Sequence, residues 1–148
     1  MGAVLLWLAA GVGGHVAQRG ALGSGSASEE LEARRRALLV FGVHHLAALV
    51  ILASGLLLMR SRGWSFSYPR WLAVKVGLTL FLLVPLVGMH AWVCRLWIAP
   101  GLAQAKATGT SKRLARGLSM EEMVRALAVP LLGVAVPLLL WLSLARPF

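Results

Sequence analysis

The four histidines of this chain all fall inside long apolar runs. His15 lies in the first run, His44 and His45 in the second, and His90 in the third. Polar side chains inside runs that are long enough to cross a bilayer are functional candidates. A rise of about 1.5 Å per helical residue places all four imidazoles in one layer near the same membrane face. Imidazole binds haem iron, zinc and copper, so this layer is the candidate site.

A b-type haem is the cofactor that this pattern favours. Two histidines on facing helices at equal depth are the arrangement that holds such a haem in a helical bundle. His44 and His45 are neighbours and point about 100° apart on a helix, so at most one of them shares a ligand with His90. The other can hydrogen-bond a backbone carbonyl or meet His15. Four arginines lie toward the same face, where haem propionates can find partners: Arg34, Arg35, Arg36 and Arg95.

Two other interpretations of the histidines stay open. His90 and Cys94 are four residues apart on one helix face, with Met89 beside them. This set suits Cu(I), which prefers soft sulfur ligands. Alternatively, histidines inside a membrane hydrogen-bond across helices and hold no cofactor.

Lys75 is the other charge within a predicted span. It lies five residues inside the span boundary, shallow enough for its ammonium group to reach the headgroups. The alternative is a role as ligand, proton carrier or anion contact. Lys75 is about 22 Å along the helix from His90, so the two cannot share one small site. No carboxylate lies within any predicted span, which argues against a transporter coupled to protons or cations.

Composition predicts the environment in which these residues work. Of the 148 residues, 59% are hydrophobic and only 14% are charged, whereas about 25% are charged in typical soluble domains. A soluble domain of this size could not bury so much apolar surface. The chain is therefore predicted to be all-α, an integral membrane four-helix bundle whose main partner is the lipid bilayer. The net charge of +10 sits between the apolar runs, which indicates topology signals and no nucleic-acid partner.

Four spans are predicted, at residues 2–18, 37–59, 71–99 and 124–144, within a single membrane domain covering 1–148. The connections at 19–36 and 100–123 and their flanks carry ten Lys and Arg, against four on the opposite side. This bias predicts a bacterial inner-membrane protein with both termini outside and the long basic connections in the cytoplasm. The first run is short for a span. A removed leader is its alternative interpretation, although a basic n-region is lacking.

Local signals predict where the helices begin and end. Ser26 with Glu29 has the spacing of a capping box, so a long second helix is expected to begin there. Residues 119–122, Ser-Met-Glu-Glu, are predicted to cap the last helix in the same way. The pair Pro100-Gly101 is expected to end the third helix. Small residues four apart in the first run, such as Ala10 and Gly14, permit close helix packing.

Residues 54–80, SGLLLMRSRGWSFSYPRWLAVKVGLTL, resemble a known group of membrane proteins. A helix ends in a small-Gly-Leu run, an aromatic connection follows, and Trp71, Leu72 and Lys75 form a Trp-Leu-x-x-Lys start to the next helix. This pattern resembles the CopD copper-resistance domain and the HemJ-type protoporphyrinogen oxidases, and it covers about a third of the chain. The resemblance implies a small polytopic bundle, copper passage or haem chemistry, and a functional role for Lys75. The HemJ group has a histidine ahead of its first-span Trp, whereas here His15 follows Trp7.

The sequence therefore predicts a haem-binding membrane protein that transfers electrons or serves a haem-linked redox step. His90 and one of His44 and His45 are the expected axial ligands, with His15 as neighbour. A non-catalytic subunit, packed against other membrane proteins or further copies of the chain, is one alternative. Copper handling is the other, and whether the chain is an enzyme is left open.

Overall fold

Four helices make up the regular structure of the described residues. The computed structural model describes residues 2–22, 26–65 and 70–145, and within these ranges no residue is in a β-strand. The all-α class is therefore confirmed. The helices are α1 (Gly2–Leu22), α2 (Ala27–Ser61), α3 (Arg70–Thr108) and α4 (Lys112–Ala145). Residues 66–69, which belong to the aromatic connection within the stretch 54–80, lie outside the described residues.

Three of the described helices are long and apolar enough to cross a membrane. They are α2, α3 and α4, which contain 35, 39 and 34 residues. The first helix, α1, is not among the helices that are long and apolar enough to cross. It is 21 residues long and carries His15, Gln18 and Arg19, whose polarity lowers the hydropathy of its second half.

The start of α2 follows the capping prediction. Ser26 has an extended backbone, and its side-chain oxygen accepts a hydrogen bond from the backbone N–H of Glu29 at 3.3 Å. Such a cap satisfies one of the N–H groups that have no partner within the helix. The predicted long helix, polar in its first turns and apolar afterwards, is confirmed over Ala27–Ser61.

The prediction that Pro100-Gly101 ends the third helix is wrong. The helix α3 continues to Thr108 and ends at Gly109, which has a φ of 77°. A π-helical turn, Cys94–Ile98, precedes the proline, and here the N–H of Ala99 bonds the carbonyl of Cys94. Such turns adjust the backbone locally, so a proline without an N–H can follow them within a helix. A second π turn, Thr79–Leu83, precedes Pro85 in the same way.

The predicted capping of the last helix at residues 119–122 is also wrong. The helix α4 begins at Lys112, and the Ser111 hydroxyl accepts a hydrogen bond from the Leu114 N–H at 3.1 Å. Ser119 and Glu122 therefore lie inside α4. Only residues 109–111 connect α3 to α4, in place of the long loop expected at 100–123.

Glycines allow the helices to pack closely around the middle of the bundle. A Cβ atom at Gly14 in α1 would collide with the Phe41 ring of α2. A Cβ atom at Gly101 in α3 would lie 2.6 Å from the backbone nitrogen of Leu114 in α4. The small-residue face predicted for α1 does pack against its neighbour. The largest buried cluster joins three helices: Ala37, Phe41, Val93, Cys94, Ile98, Leu102 and Val124.

Candidate histidine and glutamate site

The four histidines meet at one place in the bundle. His90 of α3 is central, since its ring centroid lies 6.2 Å from that of His15, 6.4 Å from that of His44 and 5.1 Å from that of His45. The His45 Nε2 and the His90 Nδ1 are 2.9 Å apart, a hydrogen bond between α2 and α3. The structure thus brings together the four histidines that the sequence singled out.

The His44 ring is oriented by α1. Its Nδ1 lies 2.8 Å from the backbone oxygen of Trp7. A carbonyl oxygen only accepts, so Nδ1 carries the proton and Nε2 keeps a free lone pair. The indole of Trp7 stacks on the ring at 5.1 Å between centroids. Gly11 leaves room for this contact, because a Cβ there would lie 3.0 Å from the His44 Nδ1.

The two adjacent histidines of α2 take different partners. His45 contacts His90, while His44 bonds a backbone carbonyl, which is the division expected for neighbours on a helix. The two rings still lie 5.6 Å apart between centroids. Both rings therefore lie close enough to His90 for one ligand to contact all three imidazoles.

Glu121 of α4 belongs to the same cluster. Its side chain is buried, with 3% of the residue surface exposed. Its Oε2 accepts a hydrogen bond from the Gln18 Nε2 of α1 at 2.5 Å. Its Oε1 lies 3.8 Å from the His90 Nε2. A carboxylate therefore borders the histidines, although none lies within the predicted spans, so the argument against ion coupling loses its support.

The sequence interpretation missed Glu121 because it assigned residues 119–122 to a helix cap at the water boundary. A signal was nevertheless present. In an α4 that begins at Lys112, Gly117, Glu121 and Val124 are spaced at i, i+4 and i+7, and all three are buried. This is the spacing of one buried helix face. A carboxylate on such a face is a functional candidate.

The sulfur ligands expected for copper are only partly in place. Cys94 is buried, and its Sγ lies 3.8 Å from the His90 Nε2. Met89 is 40% exposed on the outside of the bundle. A soft-ligand set at this point is therefore reduced to Cys94.

None of the three predicted positively charged site residues forms a hydrogen bond with a histidine in the described part of the chain. The Lys75 Nζ donates a hydrogen bond to the Ser143 Oγ of α4 at 2.6 Å, so its ammonium is held by a neighbouring helix. Arg36 and Arg95 are exposed. Arg36 pairs with Glu32 at 3.7 Å. The buried arginine is Arg34, which bonds Glu30 at 2.8 and 2.6 Å.

Several buried polar atoms around the cluster have no hydrogen-bond partner. They are the Trp7 Nε1, the His15 Nδ1, the Gln18 Oε1 and the Glu121 Oε1. Buried polar atoms are almost always paired, so such a group points to a water, an ion or a ligand. A cavity of about 10 Å³ lies between Gln18, Arg34 and Glu121, which is room for about one water molecule.

Comparison with known proteins identifies no relative. No family model, no curated protein and no solved structure matches this chain. The resemblance to CopD and HemJ proteins stays a prediction.

The spacing of three imidazoles approaches that of ligands on one metal ion. The ring centroids of His44, His45 and His90 form a triangle with sides of 5.1, 5.6 and 6.4 Å. With metal–nitrogen bonds of about 2.0–2.1 Å, tetrahedral ligation places imidazole centroids roughly 5 Å apart and their nitrogens about 3.3–3.4 Å apart. In the described part of the chain, no three His, Cys, Asp or Glu side chains are already arranged to hold an ion. The hydrogen bond between His45 and His90 would have to open first.

The separation of two histidines suits a haem, but the cavity beside the cluster does not house one. Two imidazoles on opposite sides of one iron have centroids roughly 6 Å apart, close to the 6.4 Å between His44 and His90. The cavity of about 10 Å³ beside Glu121 is lined by no histidine, and it is far smaller than the roughly 300 Å³ of a small ligand pocket. Among the described residues, that cavity is therefore not the place of a haem.

Proposed function

We propose that this chain is an integral membrane four-helix bundle that binds one redox-active transition-metal ion through His44, His45 and His90, and that it carries electrons. The single observation that carries the proposal is the meeting of these imidazoles, with side chains from all four helices arranged around them. Polar groups are costly within a bilayer. A bound metal ion uses these polar side chains as ligands, which offsets the cost of placing them within the bilayer.

The membrane part of the proposal rests on three helices that are long and apolar enough to cross. The apolar parts of these helices carry large exposed apolar side chains on their outer surfaces, among them Leu49, Phe81 and Val134. We place the basic ends, with Arg34, Arg113 and other cations, on the cytoplasmic side, as the charge bias favours. The histidine site then lies in the cytoplasmic half of the bilayer. Here α1 completes the bundle by packing against α2.

Contacts on the outer side of the histidine triangle support metal ligation. A histidine that binds a metal commonly donates its other ring N–H to a backbone carbonyl or a carboxylate. The His44 Nδ1 bonds the Trp7 carbonyl, leaving Nε2 for an ion. The His90 Nε2 faces the Glu121 carboxylate, leaving Nδ1 on the side of His45. Iron and copper are the ions that combine imidazole ligation with one-electron chemistry.

Haem iron is the second candidate occupant, supported by the separation of the His44 and His90 rings. It requires room for a porphyrin between the two rings, which the small cavity beside Glu121 does not provide. A bare ion needs only a small side-chain movement. For this reason we place the bare ion first.

The proposal is tested on the full-length protein, purified in mild detergent from cells grown with added iron, copper and haem precursor. Elemental analysis and an absorbance scan are made on the wild type, on the variant His90→Ala and on Lys75→Met. We expect about one iron or copper per chain in the wild type and in Lys75→Met, with loss in His90→Ala. A Soret band that His90→Ala abolishes would identify haem. No bound metal in a folded wild-type protein would overturn the proposal.

A further inference from the structure

The Glu121 side chain is the feature of the site that metal ligation alone does not use. It lies on α4, which contributes no histidine, yet it is among the most deeply buried polar residues described. Its Oε2 is held by Gln18 of α1. Its Oε1 lies 3.8 Å from the His90 Nε2 and has no hydrogen-bond partner.

We propose that Glu121 is a positioning residue, which keeps the proton of His90 on Nε2 and so presents the Nδ1 lone pair to the ion. This inference rests on the proposed function, because it assigns the role of Glu121 through a metal ligand. A carboxylate accepts and does not donate, so it favours the ring form that carries its proton on the facing nitrogen. The second ring nitrogen is then free to ligate.

The surroundings of His90 leave few alternatives for this role. The other group near its Nε2 is the Cys94 Sγ, also at 3.8 Å. A thiol is a weak donor and a weak acceptor, so the carboxylate has the stronger influence on this nitrogen. On the opposite side of the ring, the Nδ1 meets the His45 Nε2 at 2.9 Å. With the His90 proton on Nε2, the His45 Nε2–H donates in this bond. When an ion takes the place of that proton, His45 carries its proton on Nδ1 instead, so that the ring stays neutral.

Gln18 makes the arrangement depend on α1. Its amide N–H donates to the Glu121 Oε2 at 2.5 Å, which fixes the carboxylate so that Oε1 faces His90. The neighbouring oxygen of the Gln18 amide has no partner. The helix α1 thus orients two ligands, His44 directly through the Trp7 carbonyl and His90 through Glu121.

The test compares Glu121→Gln and Glu121→Leu with the wild type and with Lys75→Met. The last variant is a matched control, because it removes a different polar contact between α3 and α4. Two quantities are measured on full-length protein in detergent: the dissociation constant for Co²⁺, followed by its visible absorbance, and the ring form of His90 in metal-free protein, by ¹⁵N NMR of labelled histidine. Thermal unfolding of each variant confirms that it is folded.

We expect Glu121→Leu to bind Co²⁺ about 10–100-fold more weakly, the range found when the partner of a ligating histidine is removed. Glu121→Gln, whose amide oxygen still accepts, should lose less, and Lys75→Met should bind as the wild type does. The wild-type His90 should carry its proton on Nε2, and Glu121→Leu should shift it toward Nδ1. If Glu121→Leu does not fold, Glu121→Ala, which also lacks an acceptor, takes its place in both measurements.

The outcomes separate this inference from the proposed function. A wild type that binds no Co²⁺, with His90 nevertheless protonated at Nε2, contradicts the metal proposal and leaves the orientation of His90 by Glu121 standing. A wild type that binds Co²⁺, with equal affinity and an unchanged His90 ring form in the folded variant that lacks an acceptor at position 121, overturns the role of Glu121. Equal weakening in Lys75→Met would show that Glu121 acts only by tying α3 to α4.

Discussion

His45 and His90 share a hydrogen bond from the Nε2 of one ring to the Nδ1 of the other, at 2.9 Å, between α2 and α3. One nitrogen donates and the other accepts, so one N–H···N hydrogen bond links the two helices at this point. A metal ion between the same two nitrogens would hold them about 3.3–3.4 Å apart. The contact is therefore close to a ligation geometry, and several consequences can be measured.

The loss of His90 should affect ion binding more than the loss of any other histidine. Its ring is the one that lies within 6.4 Å of the other three. We expect His90→Ala to weaken Co²⁺ binding by more than about 100-fold, beyond the effect of removing a hydrogen-bond partner. His15→Ala should cause less than about a tenfold loss, because His15 is outside the proposed ligand set. Equal losses in the two variants would show that the ligand set is wrongly assigned.

A methyl group at Gly14 should destabilise the protein. The Cβ would collide with the Phe41 ring, which is itself buried between helices. Overpacking of this kind costs about 1–3 kcal/mol. Gly13→Ala is the control, because its Cβ would make an ordinary 3.8 Å contact with Val40. The check is the Tm in detergent: Gly14→Ala should lower it and Gly13→Ala should not. Unchanged stability in both would contradict the close packing of α1 on α2.

Gly101 should be needed for the α3–α4 hairpin. A Cβ there would lie 2.6 Å from the backbone nitrogen and 2.7 Å from the Cα of Leu114, which cannot move as a side chain can. We expect Gly101→Ala to lower the Tm by an amount equivalent to about 1–3 kcal/mol. Gly88→Ala, on the same helix with nothing within 4 Å of its Cβ, serves as the control. A Gly101→Ala variant as stable as Gly88→Ala would support the helix end that the sequence suggested at this position.

The sequence predicted the helices better than it predicted their ends. Hydropathy located the four apolar runs, and the Ser26 cap located the start of α2, because both signals are local. The continuation of α3 through Pro100 could not be predicted, since the π turn before it has no distinct sequence signature. Because α3 continues to Thr108, the connection is short and α4 already begins at Lys112.

For the site as well, features that depend on a single helix could be predicted, whereas features that depend on packing between helices could not. The meeting of the histidines followed from their depth along each run, which depends only on the helix rise. Glu121 was missed because its burial depends on the true start of α4. The packing of Trp7, Gly14 and Phe41 around the histidines could not be predicted, because it depends on contacts between helices.

Lys75 and Ser143 should stabilise the bundle together and should not affect the metal site. The Lys75 Nζ donates to the Ser143 Oγ at 2.6 Å, and that oxygen donates to the Leu139 carbonyl at 2.7 Å. A double-mutant cycle with Lys75→Met and Ser143→Ala should give a coupling of about 0.6–1.7 kcal/mol, as for hydrogen bonds between membrane helices. Thermal unfolding measures it. A coupling near zero would indicate that the ammonium reaches the headgroups instead.

The most direct measurement of the central claim is X-ray absorption at the iron and copper edges of the purified full-length protein. Ligation by His44, His45 and His90 predicts a shell of nitrogen neighbours near 2.0–2.1 Å, with the outer-shell scattering of imidazole rings. The His90→Ala variant should lose this signal. A folded wild-type protein with no bound iron or copper, or with a metal shell that lacks imidazole scattering, would contradict the account.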